Sequence, residues 1–493
     1  MTQRTRVTAT NSKTRCGLSL CKIALACAGA LAINAQALAA HSPPDPLARD
    51  IFKQLIQINT TDSVGSTTIA AISMQKRLLD AGFAPTDAQV LVGPNLKRGN
   101  LVVRLHGNGK HKPVLIIGHL DVVEAKREDW TTDPFVFTEK DGYFYGRGTQ
   151  DMKNSDAVAL AALIRFKKDL YVPDRDIILA LTADEEGGTD NGVDWLLKNH
   201  RDLVDAEFAL NPDSGGVDSD AGKPVVMNVE ATEKVYADFE LSVTNPGGHS
   251  SLPRTDNPIY ELSNALARLG HTSFPFELNL VTRAWLEYMQ KIEDGQRSKD
   301  IKSVLATPPD GDAIARLSQD ARYNSTTHTT CVATRLEAGH ANNALPQRAT
   351  ANVNCRILPG HSPEEVRQDL IKIFAEPKLV VRYVDPLTDK RLDVASERKA
   401  ITPPPPRKDV FDALKIVVGK MWPGISIVPE METGASDSVY TMGAGIPSYG
   451  VNGAMIDRDD VRAHGKDERL RISAYDDSAA FYYQFLKVLT SSK

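Results

Sequence analysis

Val114-Leu115-Ile116-Ile117-Gly118-His119-Leu120-Asp121 decides how the chain is read, because an apolar run of strand length ends in an imidazole and a carboxylate. Such a run is the pattern of a strand buried on both faces. A second one, Ile177 to Ala183, ends in Asp184-Glu185-Glu186-Gly187-Gly188. Between them lie Gly146-Arg147-Gly148-Thr149-Gln150-Asp151-Met152-Lys153 and a helical segment. Open α/β sheets bind ligands beyond the C-terminal ends of their strands. His, Asp and Glu delivered there together point to a divalent metal, since neutral imidazole and carboxylates suit zinc and its neighbours. His119 and Asp121 stand two apart, so an extended backbone aims both to one face. Asp121 can then accept the second ring N–H of His119 and fix its tautomer. Glu185 and Glu186 point apart on an extended chain, so one can bind metal while the other holds a water. Asp151 opens the crossover helix and can bridge two ions. An isolated His-x-Asp is more often a surface pair and a lone Glu-Glu a solvated loop; their joint arrival after two strands carries the argument.

Outward from this stretch, Ile51, Leu55 and Ile56 repeat at helical spacing, and Ile69 to Ala81 forms a second amphipathic helix. Alternating strands and helices through Glu186 predict an α/β fold, a three-layer α/β/α sandwich. Residues 129–145 read as a loop and hairpin. The pattern changes near Glu230. Val235 to Val243 alternates as a half-buried strand, followed by a helix over 257–269, strands over 329–337 and 349–358, a helix over 363–374 and a strand over 379–384. The order βαββαβ is the ferredoxin-like plan. Residues 271–328 are an extra stretch whose Trp285, Tyr288 and Met289 read as a packing face. A charged, Pro-rich linker over 389–406 leads to a helix over 409–421 that rejoins the first domain. The expected division is 1–39, 40–231, 232–392 and 393–493, with the second and fourth stretches forming one domain and the third a module inserted into it.

Asn211-Pro212-Asp213-Ser214-Gly215-Gly216 and Ala463-His464-Gly465-Lys466-Asp467-Glu468 complete the constellation. With GHLDVV, GRGTQDMK, ADEEGG, NPDSGG, GGHSS, NALP, CRILPG and AHGKDE in this order, the chain resembles peptidase family M20. These co-catalytic dizinc metallopeptidases include glutamate carboxypeptidase, aminoacylase, acetylornithine deacetylase and succinyl-diaminopimelate desuccinylase. The resemblance implies an inserted lid, or dimerisation, domain and a homodimer. It implies two zinc ions, with cobalt or manganese as alternatives, one held by His119, Asp151 and Asp213 and the other by Asp151, Glu186 and His464. Two ions about 3.5–4 Å apart would clamp a water and polarise the scissile carbonyl. Glu185 would move the water's proton to the leaving amine, and Asp121 would orient His119. His249, from GGHSS, would reach the reacting carbonyl of the partner subunit's site. Arg356 would bind the substrate carboxylate. Asn343 matches the family's Asn-x-x-Pro turn, with Asn342 one register away, and Gly434 would let substrate approach the backbone. The family often has Gly after Asp-Met-Lys where this chain has Asn154, a change that could alter the helix start or the floor of the site.

Residues 1–39 read as a secretory signal, with a basic start, an apolar run over 23–33 and a small-x-small end at Ala37-Leu38-Ala39. Export to a periplasm, or secretion, follows, with no stable membrane association after cleavage. Cys16, Cys21 and Cys27 leave with the signal, while Cys331 and Cys355 remain. On antiparallel strands about equally far from the Asn343 turn, these two can face each other and bond; a one-residue slip would put them on opposite faces. The net charge of −5 gives no reason to expect nucleic acid. The expected activity is hydrolysis of an amide bond next to a free carboxylate in a small peptide or an N-acyl amino acid. The enzyme would be a carboxypeptidase, a dipeptidase or an N-acyl-amino-acid amidohydrolase. A non-catalytic peptidase-like binding protein is the alternative from another class, and the intact set of ligands with Glu185 argues against it. A binuclear phosphoesterase leaves GGHSS, NALP and CRILPG without a role.

Overall fold

The computed structural model describes residues 41–386, 388–395 and 405–491; the signal-peptide reading therefore lies outside the described residues. The Val114–His119 strand is buried along its whole length. It runs parallel to Ile177–Thr182 on one side and Phe208–Leu210 on the other. Ala88–Val92 and Gly99–Leu105 extend the sheet past Ile177–Thr182, and Ser448–Tyr449 closes it beyond Phe208–Leu210. The two-residue repeat of a strand sorts its side chains into two cores. Val114 and Ile116 join Leu160, Leu163, Phe166 and Tyr475 in one. Leu115 and Ile117 join Val193, Leu196 and Ile446 in the other. Helices on both faces make the three layers that the alternating pattern predicts.

A second sheet, of Ser426–Glu432, Lys223–Glu233, Gly216–Asp220 and Met455–Asp457, was not legible in advance. The 271–328 stretch packs onto it. Its helices Leu280–Ile292, Gly295–Val304, Gly311–Leu317 and Ala321–Thr327 bury Trp285, Leu286, Ile301 and Tyr323 against Val226 and Val428. The expected packing face of Trp285 and Met289 is therefore present, and its partner is this sheet.

The ferredoxin-like module follows. Its strands lie in the order Thr330–Ala338, Arg348–Ile357, Val235–Thr244, Val380–Val384, with Arg391–Leu392 at the far edge, all neighbours antiparallel. Val235, Ala237, Phe239 and Leu241 turn to one face, where the helices Pro258–Gly270 and Pro363–Phe374 cover them. Ser362 and Glu365 cap the second helix reciprocally, which fixes its start. Cys331 and Cys355 are directly opposite and disulfide-bonded. Their sequence separation is 24, so the chain-entropy model gives the bridge roughly 3 kcal/mol of stabilisation. Reduction, or Cys331→Ser with Cys355→Ser, should lower the urea midpoint accordingly; an unchanged midpoint would show that the bridge constrains nothing.

Lys234 joins the second sheet to this module and is fully buried. Its amino group donates to the His328 carbonyl at 2.6 Å. Burial, with Arg356 nearby, pushes its pKa down from 10.5 to about 7. Between those values the unfolded chain binds more protons than the folded one, so stability should rise with pH through that window. Lys234→Met should flatten the rise, as urea midpoints at pH 7 and 9 would show. Among the described residues no helix is long and apolar enough to cross a membrane.

Candidate active site

The central strand ends at His119, whose side chain is 1% exposed. Its Nδ1 faces the backbone carbonyl of Asp121 at 3.0 Å, while the Asp121 carboxylate is 3.8 Å away. The tautomer is thus fixed by a main-chain oxygen rather than by the Asp121 side chain, a correction to the expected pairing. The regular strand ends at His119, and the Asp121 side chain just beyond it is not aimed at its neighbour's ring. The Asp121 carboxylate instead accepts the backbone N–H groups of Glu186 at 2.9 Å and Glu185 at 3.3 Å. It holds the loop that presents both glutamates.

Nε2 of His119 lies 3.1 Å from Oδ1 of Asp151, 3.5 Å from Asp213 and 4.0 Å from Glu185. Nε2 of His464 lies 3.0 Å from the other oxygen of Asp151 and 2.8 Å from Glu186. Asp151 therefore turns one oxygen to each imidazole. Donor atoms of His119, Glu185 and Asp213 lie within 4.8 Å of one another, as do those of His119, Asp151 and Glu186. Donors bound about 2.0–2.1 Å from a tetrahedral zinc ion sit roughly 3.3 Å apart, close to the spacings found. Nε2 of His119 and Oδ1 of Asp151 are also buried without a well-formed hydrogen bond, a pair of donor atoms suited to a shared cation. The residues present fit a divalent metal pair.

The protonation pattern agrees. Burial, with Asp213, Asp437 and Glu186 close by, pushes Glu185 well above the ordinary carboxylate range. Burial opposes ionisation of Asp151 as well, but the two imidazoles beside it hold its carboxyl below that range. Hydrogen bonds to Asp151 and Glu186 raise His464 to about 10. A dication would take over the role of these imidazolium protons and keep the carboxylates charged.

Two supporting residues carried no role in the sequence reading. Glu468 is fully buried and accepts backbone N–H groups from Gly148, Gln150 and Asp151 at 3.2, 2.6 and 3.1 Å, besides Arg147 at 2.6 Å. It fixes the loop that ends in Asp151. Its place in the AHGKDE motif was the signal that could have found it. Asp437, also buried, accepts from Asn191 at 2.7 Å and is near enough to Glu185 for its charge to act on it. Asn154 is buried in the crossover helix, which runs Lys153–Lys168; the departure leaves the helix start in place and puts an amide in its first turn.

Of the remaining expected residues, none is joined to the His119 cluster by a hydrogen bond or ion pair among the described residues. His249 is exposed on the two-residue strand Gly248–His249, which pairs with Ala344–Leu345. Its Nδ1 is engaged by the Ser251 hydroxyl at 2.8 Å. Asn343 is exposed beside it and accepts the Ser250 N–H at 3.1 Å through its backbone oxygen. Arg356 is half-buried on the lid sheet. Gly434 donates its N–H to Glu432 at 2.8 Å, and a Cβ there would meet that carboxylate at 3.3 Å.

A carboxylate–imidazole cluster at the strand ends of an α/β sheet, with an inserted ferredoxin-like lid, defines a metal-dependent hydrolase. The chain belongs to peptidase family M20/M25/M40, whose signature matches residues 115–488, and it is a hydrolase acting on amide bonds. It is 28% identical over 415 residues to probable carboxypeptidase S-like 2 of Dictyostelium discoideum, covering 76% of this chain and 71% of that one. It is 28% identical over 393 residues to the N-fatty-acyl-amino acid synthase/hydrolase PM20D1 of Mus musculus, covering 76% and 74%. The M20 family metallo-carboxypeptidase Sso-CP2 of Sulfolobus solfataricus shares the fold, with a TM-score of 0.66 at 17% identity over 91% of this chain and 100% of that one.

Proposed function

We propose that this protein is an exported dizinc amidohydrolase that cleaves an amide bond beside a free carboxylate. Asp151 is the observation that carries the reading, since one carboxylate turned to two imidazoles suits a bridging ligand. His119, Asp151 and Asp213 would hold one ion, and Asp151, Glu186 and His464 the other; zinc fits the donor set, with cobalt or manganese as substitutes. When bound, the ions would supply Lewis acidity at the scissile carbonyl and lower the pKa of the attacking water. Glu185 takes that water's proton on a carboxylate oxygen and returns it to the leaving amine nitrogen. Asp121 keeps Glu185 and Glu186 in register through their backbone N–H groups. His249 donates to the developing oxyanion of a neighbouring subunit's site, and Asn343 and Gly434 line the substrate's path. The catalytic parts are 40–231 and 393–493, with the lid at 232–392 and a signal removed near residue 39. The separate core under the five-stranded sheet supports an inserted lid, though it takes in Ala395 and leaves most of 271–328 to the core of the second sheet.

The deciding experiment assays zinc-, cobalt- and manganese-loaded enzyme on glycyl-leucine, acetyl-leucine and dodecanoyl-leucine. Absence of leucine release from all three with every metal would end the proposal; the ratio among them separates dipeptidase from acyl-amino-acid hydrolase. The N-terminal sequence of exported protein tests the signal. Arg356→Ala should raise KM for free acids about tenfold to a hundredfold, the worth of a charge-assisted hydrogen bond, and narrow the gap to the carboxamides. A wild-type enzyme indifferent to amidation would show that Arg356 has another role.

A further inference from the structure

The lid sheet buries one face under its helices and turns the other outward. The outward residues are Tyr236, Asp238 and Glu240 on one strand and Asn352, Asn354 and Arg356 on its neighbour. They line a groove of about 640 Å³. Of its cations, Arg391 is paired with Glu240 at 3.1 Å and Asp389 at 2.8 Å, and Arg335 with Glu337 at 3.4 Å. Arg356 has no carboxylate partner among the described residues; its guanidinium lies 4.7 Å above the ring centre of Tyr236.

Asp238 does not supply that partner. Its carboxylate accepts the Tyr236 hydroxyl and the side-chain amides of Asn352 at 2.9 Å and Asn354 at 3.0 Å. Three neutral donors occupy it. The hydroxyl bond anchors the far end of Tyr236, and the ring then fixes the plane of the guanidinium above it. An arginine held this way loses little rotamer freedom when it grips two carboxylate oxygens.

We infer that Tyr236 and Asp238 are positioning residues that hold the Arg356 fork ready for a substrate carboxylate. The inference rests on the role given to Arg356 above. It predicts a sign that simple charge does not. An acidic side chain beside a carboxylate site repels the ligand, so removing Asp238 should tighten binding of free acids if only its charge mattered. If it acts by positioning, removal weakens that binding.

The test is steady-state kinetics of the metal-loaded enzyme on the free acid it cleaves best and on the matching carboxamide. Asp238→Ala and Tyr236→Leu should each raise KM for the acid about tenfold, with kcat within about twofold and the carboxamide unaffected. Asp238→Asn, which can still accept the hydroxyl, should recover most of the loss, whereas Tyr236→Phe, which keeps the ring but not its anchor, should fall between wild type and Tyr236→Leu. Both conservative variants fill the same space, so they report even if the larger truncations fail to fold. An unchanged or lowered KM for the acid in Asp238→Ala and Tyr236→Leu, with Arg356→Ala still strongly impaired, overturns the positioning role and leaves the Arg356 reading standing. An Arg356→Ala enzyme with an unaltered preference for acid over carboxamide overturns both.

Discussion

Glu185→Gln should abolish nearly all turnover, by about a hundredfold to ten-thousandfold, the usual worth of a positioned general base. The amide keeps the size of the side chain and its place under Asp121's grip on the loop but cannot take a proton. Metal content should stay at two ions per chain, because Glu186, not Glu185, faces His464. Glu185 also lies within donor range of His119 and Asp213, so geometry alone would let it ligate. Metal analysis beside kinetics separates the roles. A dead variant that has lost an ion makes Glu185 a ligand, and a fully active one removes it from the chemistry. Glu186→Gln should show the opposite pattern, with weakened metal binding first and loss of rate as its consequence.

The second large effect is recovery. His249 stands exposed on its short strand, with no hydrogen bond or ion pair to its own chain's His119 cluster among the described residues. If it serves a neighbour, His249→Ala and Glu185→Gln homodimers should both be nearly inactive, yet their mixture should work. One site of each mixed dimer pairs intact Glu185 with the partner's intact His249, and the other carries both lesions. With free subunit exchange of a two-fold dimer, about a quarter of the sites revive. The recovery should appear in kcat, because an oxyanion donor acts mainly in the transition state. Demonstrated exchange without recovered rate would place His249 in its own subunit's site, or outside catalysis.

The sequence was most informative where a strand's period governs what each side chain does. The run from Val114 to His119 announced its burial, and the alternation from Val235 to Val243 announced one covered face. Equal distance from the Asn343 turn announced the pairing that brings Cys331 opposite Cys355. Legibility ended where the backbone leaves regular geometry or where partners are remote. Asp121 follows a strand end, and its carboxylate turned from the neighbouring ring to the loop after the next strand. Glu468 reaches Asp151 across 317 residues, a contact no local pattern encodes. The second sheet takes two strands from before the lid and two from after it, so apart from the hairpin of Gly216–Asp220 with Lys223–Glu233 its pairings could not be read from spacing. The helices of 271–328 showed their apolar face but not the Val226 and Val428 that meet it.

That excursion changes how the molecule can be assembled. After Gly270 the chain leaves the lid, wraps onto the neighbouring sheet, and returns at Thr330 to add the lid's edge strand. The lid's central pairing already spans more than a hundred residues, as Asp238 and Asn352 are 114 apart, and such non-local pairing slows folding. Residues 232–392 expressed alone would carry Trp285, Leu286, Ile301 and Tyr323 without the valines that cover them, an apolar face that invites aggregation. A lid fragment that folds by itself would need 271–328 replaced by a short turn. Two lengths of chain outside the boundary loops therefore tie the lid to its base, and any swing of the lid must bend four connections where an uninterrupted insertion would bend two.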